Sequence, residues 1–370
     1  MLIGVPKEIK NNEFRVGLTP ESVAELIAAE QEVLIESGAG AGIGASDADY
    51  IAAGAIIVKT AGEIFAHADM VVKVKEPQVS ERAMLRAGQI LFTYLHLAPD
   101  RPQTEDLLKS GAVCIAYETV TDNDGGLPLL TPMSQVAGRL SVQVGATALQ
   151  KVGGGRGVLM GGVPGTAPAK VVIIGGGDVG FNAAQMAVGL HADVTILERS
   201  NTVMEKLSDY FGVRAKIIRS TPAVLADLIK TADLVVGAVL IPGGAAPKLI
   251  TREMIKTMQP GAVLVDVAID QGGCFETSKA TTHAEPTYIV DGVVHYCVAN
   301  MPGAVSRTST YALNAATVSF VKKIARKGWK QALKDDPHLL NGLNVCAGRL
   351  TYAAVGQALG IETVDPKTCL

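Results

Sequence analysis

The chain has 370 residues, a net charge of −3 at pH 7 and 19% charged residues. Because the charges form no basic block, the composition argues against nucleic acid or an anionic membrane as a partner. Hydrophobic residues make up 48% of the chain and aromatic residues 4%. This length and this richness in alanine, valine, isoleucine and glycine are typical of a two-domain α/β protein with buried parallel strands.

Targeting signals and metal motifs are not found in the sequence. No basic segment followed by an apolar one marks a signal peptide, and no apolar run reaches the roughly 18 residues of a membrane-spanning helix. The 5 cysteines are scattered and odd in number, which favours reduced thiols over a disulfide framework. Cysteine and histidine pairs lack zinc-site spacing. We therefore expect a cytoplasmic protein with no metal site and no membrane partner.

Short apolar runs alternate with helical patterns over residues 1 to about 130. The runs that predict strands are MLIGVP, EVLIES, GAIIVK, MVVKVK, QILFTYLHL and AVCIAYETV. Helical segments such as PESVAELIAAE lie between them, with Thr19 as the expected cap of a helix that starts at Pro20. This alternation predicts a parallel, doubly wound sheet in a first α/β domain.

Three polar positions in this first domain are candidates for chemistry. Arg15 lies in a polar loop before a helix, where it either holds a carboxylate bidentately or is simply solvated. The strand of MVVKVK ends on Lys75, which either faces a crevice or protects an edge strand. His96 closes an apolar strand and shares one face with Tyr94. A lone histidine is more often structural, but His96 is the best acid/base candidate because an imidazole exchanges protons near neutral pH.

The middle of the chain contains a helical pattern and then a glycine-rich segment. The pattern TPMSQVAGRLSVQVGATALQKV predicts one long helix over residues 131–152, a candidate connector between domains. The segment GGGRGVLMGGVPGTAP, residues 153–168, has too few apolar side chains to pack a core. We expect it to be a mobile flap or a linker.

Residues 169–198 have the order of a dinucleotide-binding βαβ unit. A strand is followed by Gly175, Gly177 and Gly180 in a G-x-G-x-x-G motif, then by a helical pattern and a second strand that ends on Glu198. The glycines allow a tight turn, close approach of a pyrophosphate and close helix–strand packing. Glu198 can accept hydrogen bonds from an adenosine ribose and repel a 2′-phosphate, which favours NAD over NADP. Asp178 is discordant in this motif, and we expect its carboxylate to point to solvent.

Later apolar runs predict further strands of this second domain, namely AKIIRS, LVVGAVL, AVLVDVAID and VVHYCVAN. Asp270 follows one of these strands and precedes two glycines, where a carboxylate can face a ligand. Asp266, inside the strand, is expected to be structural. A helix over residues 307–333 then leaves the domain, and the C-terminal segment completes the first one.

Taken in order, these elements predict an α/β fold of two doubly wound, Rossmann-like domains with mainly parallel sheets. The substrate domain is discontinuous and comprises residues 1–134 and 305–370. The NAD-binding Rossmann domain, residues 135–304, is inserted between its two parts.

The chain resembles the alanine dehydrogenase/nicotinamide nucleotide transhydrogenase family over essentially its full length. The motifs that carry the resemblance are IGVPKEIKNNEFRVGLTP, MVVKVKEP, LFTYLHLA, AYETV, PLLTPMSQVAGRLS, GGVPG, the glycine motif, VDVAIDQGGCFETS and HYCVANMPGAVSRTST. The resemblance implies reversible NAD-dependent oxidative deamination of L-alanine to pyruvate and ammonia, commonly by a homohexamer.

The resemblance also implies roles for individual residues. Arg15 and Lys75 would hold the keto-acid carboxylate and carbonyl, and His96 and Asp270 would be acid/base catalysts. Two positions depart from the family pattern, since position 198 is usually aspartate and position 178 is usually small or apolar. The positions implied for cofactor binding are Ser134, Gly175, Gly177, Asp178, Val179, Gly180, Glu198, Ser220, Val239, Leu240, Val267, Asp270, Lys279, Val298, Asn300 and Met301.

Two other functions fit parts of this pattern. A soluble NAD(H)-binding component of a proton-translocating transhydrogenase shares much of it but needs a membrane partner. A non-catalytic NAD-binding subunit would tolerate the loss of His96 and Asp270, and both are present. The segments around Lys75 and His96 favour the dehydrogenase.

Overall fold

The strands form where the sequence has short β-branched and apolar runs. The computed structural model of the protein describes residues 1–239 and 246–370. Several strands, for example those over 90–93, 113–116 and 234–237, are buried along their whole length, which is why they read as continuous apolar runs. The strands are β1 (Leu2–Val5), β2 (Glu32–Glu36), β3 (Ile56–Val58), β4 (Met70–Val72), β5 (Ile90–Thr93), β6 (Val113–Ala116), β7 (Lys170–Ile174), β8 (Asp193–Glu198), β9 (Ala215–Arg219), β10 (Leu234–Gly237), β11 (Val263–Asp266), β12 (Thr287–Val290), β13 (Val293–Tyr296), β14 (Leu343–Cys346) and β15 (Arg349–Leu350).

The chain divides into two units, each with its own sheet. Unit 1 comprises Met1–Met133 and Gly303–Leu370, and unit 2 comprises Ser134–Pro302. The sheet of unit 1 has the strand order β15-β14-β6-β5-β4-β1-β2-β3, and that of unit 2 has the order β12-β13-β11-β10-β7-β8-β9. Antiparallel pairing involves β14 and β15 in unit 1 and β12 in unit 2. The predicted α/β fold with mainly parallel, doubly wound sheets is confirmed.

Each sheet reverses its strand order at one point, and this point predicts where a ligand binds. Unit 1 continues from β1 through β2 to β3 on one side and from β4 through β5 to β6 on the other. Unit 2 repeats this arrangement, with β7, β8 and β9 on one side and β10, β11 and β13 on the other. In open α/β sheets the ligand crevice opens beside the reversal, at the carboxyl ends of the strands.

The helices begin at caps that the sequence supplies. Thr19 Oγ1 accepts a hydrogen bond from the Ser22 amide at 3.2 Å, and Pro20 occupies the first position of the helix, as predicted. In the described part of the chain, no helix is long and apolar enough to span a membrane. The helices are α1 (Pro20–Ala28), α2 (Asp47–Ala52), α3 (Ala61–His67), α4 (Val79–Arg82), α5 (Arg101–Ser110), α6 (Thr131–Ala148), α7 (Asp178–Gly189), α8 (Asn201–Phe211), α9 (Pro222–Leu228), α10 (Arg252–Ile255), α11 (Ser306–Lys327), α12 (Trp329–Asp335), α13 (Pro337–Leu340) and α14 (Ala353–Leu359).

Two helices predicted as single long elements are shorter in the structure. The helix predicted over residues 131–152 ends at Ala148. The helix predicted over residues 307–333 is divided into α11 and α12 at Gly328, whose φ is 72°. A residue in this left-handed region ends a helix because it turns the chain off the helical path.

The glycine-rich segment over residues 153–168 is attached near its start by Arg156. Arg156 Nη1 donates to Asp233 Oδ1 at 2.9 Å, and the Arg156 amide donates to Gly261 O at 2.9 Å. Met160, further along the segment, is buried as well. Whether the segment is a mobile flap or a linker stays a prediction.

Candidate active site

Three basic side chains follow three neighbouring strands of unit 1. Arg15 lies in the loop after β1, Lys75 follows β4, and His96 follows β5. These strands are adjacent and parallel, so their carboxyl ends lie at the same edge of the sheet. The structure therefore brings the three residues to one end of one sheet, beside the reversal of strand order.

Arg15 is buried, and its guanidinium is paired with Glu13. Nε donates to Glu13 Oε1 at 2.7 Å and Nη2 donates to Glu13 Oε2 at 2.6 Å, while Nη1 lies 3.0 Å from Met133 Sδ. Burial opposes the charge, but the bonds to Glu13 outweigh it, so the pKa of Arg15 is raised and the guanidinium stays charged. The alternative of a solvated arginine is therefore wrong. Glu13 thus binds Nε and Nη2 and fixes the plane of the guanidinium.

The loop that carries Arg15 is tied to α11, in the C-terminal part of unit 1. Asn314 Oδ1 accepts a hydrogen bond from the Thr19 amide at 2.9 Å, and Asn314 Nδ2 donates to Gly17 O at 3.2 Å. Both bonds are buried, so they fix the backbone just after Arg15. Residues from the two ends of the chain thus shape this loop together.

The backbone at Lys75 is held by a buried carboxylate and is not part of the strand. The strand β4 ends at Val72, and the amides of Val74 and Lys75 donate to Glu8 Oε1 at 2.7 and 3.4 Å. The prediction that the strand ends on Lys75 is wrong because Glu8 takes amide groups that a longer ladder would use. The Lys75 ammonium lies 4.0 Å from Glu76 Oε2.

Lys73, two residues before Lys75, is part of a buried ionic triad. Its ammonium donates to Glu8 Oε2 at 3.0 Å and to Glu81 Oε1 at 2.6 Å. Burial opposes the charge of Lys73, but the two carboxylates outweigh it, so its pKa is raised. Burial also raises the pKa of Glu8. The triad fixes the segment between β4 and α4 that carries Lys75.

His96 lies three residues beyond the end of the strand that it is predicted to close. The strand β5 ends at Thr93, and the amides of Leu95 and His96 donate to Glu118 Oε1 at 3.1 and 2.6 Å. These bonds replace ladder bonds, which corrects the predicted strand boundary. His96 has a left-handed φ of 51°, and its ring stacks on Tyr94 with 5.8 Å between centroids. The shared face of His96 and Tyr94 is confirmed.

A buried aromatic group packs next to His96. Tyr94 meets Tyr117 edge-on with centroids 5.1 Å apart, and Tyr117 meets Phe92 at 4.4 Å. Burial raises the pKa of both tyrosines. Both hydroxyls therefore stay protonated at neutral pH.

The glycine motif of unit 2 forms the turn between β7 and the N-terminus of α7. Gly175 has a φ of 99°, and a Cβ there would lie 2.8 Å from Ala238 O, whereas a Cβ at Gly180 would lie 1.8 Å from Gly175 O. A Cβ at Gly177, the cap of α7, would meet nothing within 4 Å. Two glycines thus serve the fold, and the third leaves space at a helix N-terminus. Asp178 is exposed, as expected.

We expect Gly177→Ala to weaken NADH binding at least about tenfold with little change in Tm, because the added methyl group enters space where the pyrophosphate would lie. Fluorescence titration gives the Kd, and thermal unfolding gives the Tm. Gly189→Ala is the matched control, since a Cβ there also meets nothing within 4 Å but lies at the other end of α7. An unchanged Kd for Gly177→Ala would contradict a pyrophosphate site there.

Glu198 is the last residue of β8, and its carboxylate supports the glycine loop. Oε2 accepts from the Gly176 amide at 2.7 Å, and Oε1 accepts from the amides of Arg199 and Ser200 at 2.6 and 2.9 Å. These bonds hold the carboxylate at the end of β8, where a ribose lies in this type of sheet. The predicted ribose acceptor therefore also has a structural task.

The other predicted cofactor-binding residues of unit 2 mostly follow carboxyl ends of its parallel strands. Leu240 lies outside the described residues. The rest are Ser134 on α6, Val179 on α7, Ser220 after β9, Val239 after β10, Val267 after β11, Lys279 before β12, and Val298, Asn300 and Met301 after β13.

Asp270 lies on a 3-10 turn, Val267–Gln271, directly after β11. It is exposed, and the two glycines that follow, Gly272 and Gly273, have left-handed φ values of 88° and 77°. This is the predicted placement, after an apolar strand and before a glycine turn. Asp266 is the last residue of β11 and is fully buried.

Sequence reasoning missed the carboxylates that orient the predicted residues. Glu13 pairs with Arg15, whereas Glu8 and Glu118 bind backbone amides beside the predicted lysine and histidine. Each is a single acid with no spacing pattern that distinguishes it from a solvated one. The available signal is indirect: a cation predicted to be buried needs a buried partner.

Models of two domains of one family match nearly the whole chain. The model described as "Alanine dehydrogenase/PNT, N-terminal domain" matches residues 4–137, and the model described as "Alanine dehydrogenase/PNT, C-terminal domain" matches residues 141–353. The chain belongs to the alanine dehydrogenase/PNT family. The family predicted from the sequence motifs is thereby confirmed.

Members of this family with known names or structures differ in their similarity to the chain. A protein named alanine dehydrogenase, from Halomonas elongata, is 59% identical over 99% of this chain and 98% of its own length. A solved structure titled L-alanine dehydrogenase has a TM-score of 0.94 and 52% identity, covering 97% of this chain and 99% of its own. A transhydrogenase from Sinorhizobium meliloti has a TM-score of 0.82 and 26% identity, covering 95% and 100%. The chain is thus more similar to these alanine dehydrogenases than to this transhydrogenase.

Proposed function

We propose that the chain catalyses the reversible oxidative deamination of L-alanine to pyruvate and ammonia with NAD. The observation that carries the proposal is that relatives 52% to 59% identical over nearly the whole chain carry the name alanine dehydrogenase. The end of the unit 1 sheet supports it, because Arg15, Lys75 and His96 follow three adjacent parallel strands there. The family models, which match residues 4–137 and 141–353, support it as well.

Two cations of unit 1 orient the substrate. Arg15 binds the carboxylate of alanine or pyruvate through its guanidinium, and Glu13 keeps the guanidinium in position. Lys75, on a segment fixed by Glu8, binds the carbonyl oxygen of pyruvate and stabilises the negative charge that develops on it. The pair selects a 2-oxo acid over a neutral carbonyl compound.

His96 and Asp270 divide the proton transfers. One proton leaves the amine as the C=N bond of the imine forms, and another leaves the water that hydrolyses the imine. Glu118 and Tyr94 hold His96 through its backbone and its ring. Asp270 belongs to unit 2, where it is exposed on the turn after β11.

The residues of unit 2 fit NAD. The space at Gly177 and the amide groups at the start of α7 suit a pyrophosphate, and the Glu198 carboxylate suits ribose hydroxyls. When bound, NAD accepts the hydride that leaves Cα of alanine. We assign NAD binding to residues 135–304 and substrate binding to residues 1–134 and 305–370. A homohexamer and a cytoplasmic location stay predictions.

The absorbance of NADH tests the proposed reaction in both directions. With NAD and L-alanine at alkaline pH the absorbance should rise, and with pyruvate, NADH and ammonium it should fall. Omission of ammonium should stop the reverse reaction. A transhydrogenase component or a non-catalytic subunit would bind NADH without ammonium-dependent turnover, and that result would overturn the proposal.

We expect Glu198→Gln to reduce the preference for NADH over NADPH at least about tenfold, because the loss of charge removes the repulsion of a 2′-phosphate. The ratio of the two kcat/KM values measures the preference. Glu205→Gln removes an exposed charge from α8 in the same unit and serves as the control. An unchanged ratio in Glu198→Gln would mean that the chain selects its cofactor elsewhere.

A further inference from the structure

Two opposite charges hold the segment that carries Asp270. We call residues 267–275, from the end of β11 to the isolated β-bridge at Phe275, the Asp270 turn. The carboxylate of Asp266 binds amide groups of this turn, and the ammonium of Lys248 binds its carbonyl groups. Neither side chain has a role in the proposed substrate or cofactor binding.

Asp266 accepts hydrogen bonds from both ends of the Asp270 turn. Its Oδ1 accepts from the Ala268 amide at 3.1 Å, near the start. Its Oδ2 accepts from the amides of Cys274 and Phe275 at 2.9 and 3.4 Å, near the end, and from the Ser278 hydroxyl. One buried carboxylate therefore closes the turn.

The surroundings of Asp266 indicate that it shapes the turn and does not mainly stabilise the core. Burial raises the pKa of Asp266 even though several donors favour its charged form. A carboxylate with this desolvation cost is a poor stabiliser of a core by itself. The backbone is built around it as well, since a Cβ at Gly273 would lie 2.6 Å from Asp266 Oδ2.

Lys248 binds the same turn through its carbonyl groups. Nζ donates to Gly272 O at 2.6 Å, to Gly273 O at 2.8 Å and to Phe275 O at 3.1 Å. An ammonium has three N–H donors, so these bonds use all of them. The amide and carbonyl groups of one short segment are thus bound by an anion and a cation.

We propose that Lys248 and Asp266 are positioning residues that hold Asp270 in its working geometry. The turn cannot rotate about its ends without breaking charge-assisted hydrogen bonds to both side chains. Asp270 lies between the bound groups and is exposed, so its orientation depends on the turn. The inference rests on the proposed function, in which Asp270 is an acid/base group.

Lys248→Met removes the ammonium that binds the carbonyl groups of the Asp270 turn, and it does so at an exposed residue. The kcat of reductive amination should fall about 10- to 100-fold, as for a misplaced catalytic group. The KM for pyruvate should stay within about threefold, because Arg15 and Lys75 belong to unit 1. Lys248→Arg also donates N–H groups and should restore most of the kcat. Lys256→Met removes an exposed lysine that pairs with Glu253 and should leave the kcat unchanged.

Hydrogen exchange gives a readout that does not depend on turnover. Amides in a peptide that covers residues 267–278 should exchange at least about tenfold faster in Lys248→Met than in the unmodified protein. Asp266→Asn should have the same effect, because the amide group places a donor against the donors of Cys274 and Ser278. If Asp266→Asn fails to fold, Lys248→Met alone carries the test.

The outcomes separate this inference from the proposed function. Faster exchange together with a lower kcat supports the inference. Unchanged exchange in Lys248→Met overturns it, and so does faster exchange with an unchanged kcat, which would leave a purely structural pair. If the unmodified protein turns over neither alanine nor pyruvate, the proposed function fails, and the exchange rates still decide whether the two charges hold the turn.

Discussion

Replacing His96 with asparagine should lower the kcat in both directions by about 10²- to 10⁴-fold, the usual contribution of a positioned general acid or base. The Kd for NADH should stay nearly unchanged. Asparagine is the suitable replacement because His96 has a φ of 51°, and asparagine tolerates this region better than alanine does. The backbone amide still donates to Glu118, so the local geometry survives. NADH absorbance gives the kcat, and NADH fluorescence gives the Kd.

His191→Asn is the matched control for this experiment. His191 is also left-handed, with a φ of 61°, and it is exposed just after α7. This variant should keep the kcat of the unmodified protein. A kcat within about threefold of normal in His96→Asn would remove His96 from the proposed chemistry.

Replacing Arg15 with methionine should raise the KM for pyruvate by about 10²- to 10³-fold, because a buried charge-assisted contact to the carboxylate is lost. The same change leaves the Glu13 carboxylate buried without the guanidinium that pairs with it. The free energy of unfolding should therefore fall by about 3–5 kcal/mol. Steady-state kinetics and denaturant unfolding measure the two effects separately.

A second substitution distinguishes substrate binding from stability. The double variant Glu13→Gln/Arg15→Met removes the buried negative charge as well, so it should recover most of the lost unfolding free energy but none of the lost substrate affinity. Arg326→Met removes an exposed arginine from the end of α11 and should change neither quantity. Recovery of the KM in the double variant would show that Arg15 is not the carboxylate ligand.

Strand positions could be predicted from the sequence, but strand ends could not. Buried parallel strands are uninterrupted apolar runs, so periodicity finds their centres. The ends of β4 and β5 depend on Glu8 and Glu118, which take the amide groups of residues 66 and 22 positions away. Periodicity shows which side chains are apolar. It does not show which distant carboxylate binds the backbone amides that would otherwise extend the sheet.

Residues proposed to contact ligands are easier to find in a sequence than residues that hold them. Arg15 and His96 stand out because reactive groups at predicted strand ends or loops suggest a crevice. Lys248 resembles any exposed lysine, and Asp266 resembles a buried strand residue. Their contacts depend on the directions of amide and carbonyl groups, which exist only once the turn has closed.

During synthesis, the β6 edge of unit 1 stays unpaired until β14 leaves the ribosome, about 230 residues later. At about 5–20 residues per second the interval lasts roughly 10–50 s. Throughout it the β6 edge presents unpaired amide and carbonyl groups, the feature that makes an open sheet prone to aggregate. Unit 2 is one continuous stretch of chain and completes its sheet within the same interval. The β6 edge of unit 1 therefore stays open for as long as the synthesis of unit 2 and of α11 to α13 takes.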